Sequence, residues 1–190
     1  MSLRSFVHLF LLIGALTVVG CEQLEPNKPA SSASSNATAA DGKIAVTTSS
    51  DEARKEFLAG RDLAERLRIT DSIAHFDKAI SLDPNFALAE LNRANASPTA
   101  KEFFDHLNKA ATLSSKASDG ERMLIGAAQA GANANPTKQK EILEQLVAAY
   151  PNDERAHFNL GGYYFGQQDF VQAIGHYKRA TELEIGRAHV

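Results

Sequence analysis

The chain has 190 residues, of which 20 are basic and 23 acidic, for a formal net charge of −3. That balance excludes the broad electropositive footprint of a nucleic-acid binder, and a single cysteine excludes an intrachain disulfide and any Cys-based zinc cluster. Charge is unevenly spread: residues 1–50 hold only Arg4, Glu22, Glu25, Lys28, Asp41 and Lys43, so the folded part is expected to start near residue 51.

From Ser5 to Val19 the chain is uncharged and mostly apolar. A helix of that length spans about 22 Å, short of the roughly 30 Å hydrocarbon core, so residues 1–20 read as a signal peptide rather than a membrane span. The run ends Val18-Val19-Gly20-Cys21, which resembles a bacterial lipobox. The resemblance implies cleavage before Cys21, a diacylglyceryl thioether on its sulfur and, with further acylation, a lasting membrane anchor. The other reading is an uncleaved signal anchor with an incidental cysteine. Glu22 stands where an inner-membrane retention signal usually carries Asp, which implies an outer-membrane destination facing the periplasm. Residues 21–50 then form the lipidated cysteine and a linker: rich in Ser, Ala, Thr and Asn, they cannot bury enough apolar surface to offset their ordering entropy.

Beyond residue 51 the sequence repeats itself. Gly60 and Gly161 are 101 residues apart, and the same offset relates Leu63 to Tyr164, Ser72 to Ala173, Phe76 to Tyr177 and Ala79 to Ala180. Pro84 and Pro151 are 67 apart. These are close to three and two periods of about 34 residues. Small residues where two helices cross, apolar residues around them and a proline to stop the second helix make the unit. On these residues the segment resembles the tetratricopeptide repeat family. The resemblance covers residues 51–183 and implies an all-α fold: a right-handed superhelical solenoid of antiparallel helix pairs, with about four repeats. The first and last repeats fit best. In the second, Phe103, Leu107, Ala110 and Leu113 form one apolar stripe; in the third, Asn135 and Pro136 are expected to open a helix, and Leu146 stands where alanine is usual.

At the C-terminus, Ile185 stands where the register asks for proline, and Ile185 to Val190 can be back-translated into the start of a common sequencing adapter. Residues 184–190 are therefore suspected adapter read-through. On that reading the repeats continue and the chain shown is a truncated protein.

No catalytic constellation is present in the sequence: there is no His-Glu-x-x-His, no phosphate loop and no Gly-x-Ser-x-Gly, and the histidines read as surface or partly packed helix residues. No catalytic residue, metal ligand or cofactor is expected. What remains is a surface. By the repeat positions of the resembled family, first helices line a concave face, which would carry Arg54, Phe57 and Arg61 from repeat one and Arg155, Phe158 and Phe165 from repeat four. The phenylalanines would grip apolar side chains and the arginines receive carboxylates, unless the phenylalanines pack between neighbouring helices instead. Chaperone-tail-binding members of the family use a Lys and Asn clamp where Phe57 and Arg61 stand, which argues against that ligand. The expected function is a non-catalytic, membrane-tethered scaffold that binds a protein or peptide partner in the bacterial envelope. The alternative is the N-terminal repeat part of a longer enzyme or envelope transport component.

Overall fold

The computed structural model describes residues 41–188, with side chains through residue 185. Eight helices follow one another: α1 (Asp51–Glu65), α2 (Ile69–Leu82), α3 (Ala87–Asn95), α4 (Ala100–Leu113), α5 (Asp119–Ala132), α6 (Pro136–Ala149), α7 (Glu154–Gly166) and α8 (Phe170–Ala188), with a 3₁₀ turn at Ser114–Lys116. No strand occurs among the described residues. Packing is densest within the consecutive pairs α1–α2, α3–α4, α5–α6 and α7–α8 and lighter from each pair to the next. The chain is an all-α solenoid of four antiparallel helix pairs, as the repeat spacing implied.

Local chemistry sets the helix starts. Ser50 accepts from the Ala53 N–H at 3.1 Å and Thr99 from the Glu102 N–H at 3.2 Å. Ser118 and Glu121 form a reciprocal capping box, and Asn135 accepts from the Lys138 N–H behind Pro136 at the first turn. The first helices of pairs one, three and four all close through a non-glycine residue at positive φ: Leu67 at 60°, Ala134 at 53° and Gln168 at 62°. In each, the next residue's N–H reaches back five positions, as from Arg68 to the Leu63 carbonyl, which gives the three turns one geometry. Pair two turns differently. Its α3 has nine residues, and the restricted backbone ahead of Pro98 ends it early. Buried Arg93 then holds the turn by bonding Asp77, Ser97 and Glu102.

The core follows the repeat register. A Cβ on Gly60 would lie 2.8 Å from the Phe76 ring, and one on Gly161 would lie 2.9 Å from the Tyr177 ring, so at both crossings the ring fills the space a side chain would need. Pair three solves the same crossing with other volumes. Leu143 replaces the ring, which leaves room for Ala127 in place of glycine and for Leu146 in place of alanine, all three buried.

Two features depart from the expected boundaries. The packed part begins ahead of residue 51, because Ile44 is buried in the core and residues 41–50 bond to three later turns. At the other end α8 continues as helix through Ala188, past the expected end of the repeat at 183. The signal-peptide residues, Cys21 and most of the linker lie outside the described residues.

Candidate functional site

The N-terminal ends of α3, α5 and α7 lie in successive pairs, and each is headed by an acidic side chain: Asp83 in the turn before α3, Glu121 in the first turn of α5 and Asp153 capping α7. All three are buried. Residues 41–49, without regular secondary structure, run along this row from the fourth pair back to the first. The backbone N–H groups of Ile44, Thr47 and Ser49 donate to Asp153, Glu121 and Asp83 respectively, each at 2.8 Å. In return, Arg155 Nη2 donates to the Ile44 carbonyl, Ser118 to the Ala45 carbonyl and Asn152 to the Asp41 carbonyl. The Ile44 side chain seats on bare backbone: a Cβ on Gly120 would meet it at 2.8 Å and Tyr150 at 3.0 Å.

The electrostatics of the row are those of satisfied buried anions. Burial opposes ionisation of Asp153, but Arg155 and the N–H groups of Ile44 and Arg155 outweigh it and hold the carboxyl below its ordinary 3.8. Burial likewise opposes ionisation of Asp83, and donors from Thr48, Ser49 and Asn85 outweigh it, again lowering the pKa. Arg155 is enclosed with these groups. Its Nη2 lies 2.6 Å from Asp153, while its buried Nη1 has no hydrogen-bond partner.

The six residues expected on the concave face are therefore not alike. Phe57 is fully buried, its ring centroid 6.1 Å from Phe76 and 5.0 Å from Phe86, so the expectation that it grips a partner is corrected: it packs between helices. Its burial removes the apolar ring from water, which contributes about 1.5–3 kcal/mol. Arg155 is not displayed for a partner's carboxylate either, since Asp153 and the Ile44 carbonyl already hold it. Arg61 pairs with Glu65 at 3.3 Å, and its Nη1 lies 3.8 Å from Glu154 Oε1 of α7. Arg54 is half-buried on α1.

Phe158 and Phe165 are the exposed members, at 61% and 57%. Phe158 lies 5.5 Å from Tyr177 and Phe165 lies 5.7 Å from Phe170, and Val171 and Ile174 are exposed on α8 as well. Together these residues give the last pair several exposed large apolar side chains.

One recurrent polar contact escaped the sequence reading. Glu56 meets His75 at 2.8 Å between α1 and α2, Glu90 meets His106 at 2.6 Å between α3 and α4, and His157 meets His176 at 3.3 Å between α7 and α8. The 101-residue offset relates Glu56 to His157 and His75 to His176, so the repeat register carried this signal. His157 Nε2 lies 3.1 Å from the Pro151 carbonyl oxygen, and its Nδ1 lies 3.3 Å from His176 Nδ1. Burial, then His157, lowers the His176 pKa from 6.5. Among the described residues, no group of three or more His, Cys, Asp or Glu side chains could hold a metal ion, and no helix is long and apolar enough to cross a membrane.

No protein-family model matches the sequence, and no curated protein matches it. Solved structures do. MamA 41-end from Desulfovibrio magneticus RS-1 is 18% identical over 70% of this chain and 76% of its own, with a TM-score of 0.38. YrrB, described as a TPR protein with an unusual peptide-binding site, is 21% identical over 72% of this chain and 71% of its own, with a TM-score of 0.39. A chain of the APC/C hetero-tetramer Cut9–Hcn1 is 22% identical over 70% of this chain but 29% of its own, with a TM-score of 0.42. At these values the likeness carries no inference about ligands or partners.

Proposed function

We propose that this protein is a non-catalytic protein-interaction scaffold, held on the periplasmic side of a bacterial envelope membrane, the outer membrane by preference, through a lipidated Cys21. The observation that carries the scaffold reading is the contrast between Phe57 and Phe158, which are related by the 101-residue offset. Phe57 is covered by Phe86 from the start of the following pair, whereas Phe158 packs on its own pair's Tyr177 and stays exposed. Exposed aromatic rings of this kind suit a partner helix that packs large apolar side chains against them. Phe158 and Phe165 are the contact residues on this reading, with Arg54 at the margin of the concave face; Phe57, Arg61 and Arg155 serve the fold. Anchoring would raise the effective concentration of the scaffold for any partner confined to the same surface.

A photo-crosslinker at Phe158 in the full chain, expressed in bacteria, should trap one predominant protein partner. Phe165→Asp should abolish that adduct while helix content is unchanged. An adduct pattern indifferent to Phe165→Asp removes the reading. Anchoring is tested separately: Cys21→Ala should move the chain from the membrane to the soluble fraction and end its labelling by fatty acid. A further helix pair packing on Phe158 is the alternative occupant, and reading the gene through codon 184 from genomic DNA separates it from a partner.

A further inference from the structure

Residues 41–49 are bound to the solenoid as a peptide ligand would be. They donate three backbone N–H groups to three side-chain carboxylates on successive helix pairs, and three of their carbonyls accept from Arg155, Ser118 and Asn152. Most of these bonds read the backbone, not the side chains, of the segment. One apolar side chain, Ile44, enters a seat that exists because residue 120 is glycine. Residues 43–48 form neither helix, strand nor turn. Most of its residues are half-buried or exposed, with Ile44 the one fully buried member.

We propose that the row formed by Asp83, Gly120, Glu121, Asp153 and Arg155 is a binding site for an extended peptide segment of a protein partner, occupied in this chain by its own residues 41–49. The ligand it takes is an outstretched strand with a β-branched apolar residue in the Gly120–Tyr150 seat and small hydroxyl residues beside Asp83, where Thr48 and Ser49 now donate. Because residues 41–49 lead directly into α1, they hold the site at a high effective concentration, and a partner strand gains access only when they lift away. The site deepens the scaffold reading but does not depend on the exposed α7–α8 face.

The test uses the full chain and a fluorescein-labelled synthetic peptide of residues 41–49. Ile44→Asp with Thr47→Pro removes the apolar plug and the N–H donated to Glu121, freeing the row without altering it. Anisotropy titration should show this variant binding the peptide at least tenfold more tightly than the unaltered chain, and adding Gly120→Ala should abolish the gain by filling the seat. If the unaltered and the Ile44→Asp, Thr47→Pro chains bind the peptide alike, with helix content and melting retained, the proposal is overturned. Amide hydrogen exchange on the unaltered chain gives an answer even where the variant misfolds. The N–H groups of Ile44, Thr47 and Ser49 should exchange faster than those of the buried helix cores; exchange only with global unfolding would make the segment core rather than ligand and would also overturn it. A failure here leaves the crosslinking at Phe158 untouched, so the two readings fall separately.

Discussion

The first and fourth helix pairs are near copies in sequence register and differ in how their first helices are covered. Both cross at a glycine under an aromatic ring, Gly60 beneath Phe76 and Gly161 beneath Tyr177. Both turn through a non-glycine residue at positive φ, Leu67 and Gln168. Yet Phe57 is fully buried and Phe158 is 61% exposed: Phe86 of the second pair covers Phe57, whereas Phe158 meets Tyr177 of its own pair. The pattern within a pair is a property of the repeat, whereas the burial of its outer face is a property of the stack.

The largest effect that could break this comparison is at those two phenylalanines. Phe57→Ala should cost about 3–5 kcal/mol, as for a fully enclosed aromatic, while Phe158→Ala should cost under about 1 kcal/mol, as for a surface change. Denaturant midpoints measured on the two variants check this, and equal losses would mean that Phe158 is covered in solution.

A second contrast lies at the glycines. Gly60→Ala pushes on the enclosed Phe76 ring and should destabilise by roughly 1–3 kcal/mol, offset by up to about 1 kcal/mol of helix propensity. Gly161→Ala should cost less, because the half-buried Tyr177 ring has room to move outward. Thermal unfolding of the two single variants decides the order.

The polar contacts separate the pairs by pH. His176 is held neutral in the folded protein below its ordinary 6.5, so the unfolded imidazole takes up its proton first. The fourth pair should therefore lose stability as pH falls below about 6.5 and level off once folded His176 is itself protonated. His176→Gln should flatten that slope, read from melting temperatures between pH 7.5 and 5.5. Asp83 and Asp153 act in a lower window. Their lowered values give stability that is present above 3.8 and lost as pH drops further, so residues 41–49 should detach in strong acid before the helices melt.

The smallest effect should be the same in both pairs. Leu67→Gly and Gln168→Gly each relieve a left-handed residue in a local turn and should each raise stability by up to about 1 kcal/mol. Unequal gains would show that the turns are not equivalent.

The repeat made much of the fold legible. The helix start at Asn135 and the crossings at Gly60 and Gly161 rest on interactions within about one helix pair, and such short-range contacts leave a trace in the sequence. The candidate site was less so. Arg155 and Phe57 sit at repeat positions that imply a displayed face, but their partners Ile44 and Phe86 lie 111 and 29 residues away, and neither is set by the period. The segment 41–49 reads as a tether because its composition is poor in large apolar residues; it is held by backbone hydrogen bonds, which composition does not record.

By itself the sequence determined the period, the pairing of helices and the residues that cross within each pair, since these depend on neighbours at fixed spacing. Only the tertiary structure decided which phenylalanines are core, which arginines are already paired, and that residues 41–49 lie along the row of helix N-termini. Those outcomes depend on what stacks against each face, and stacking joins residues at separations that the repeat does not specify.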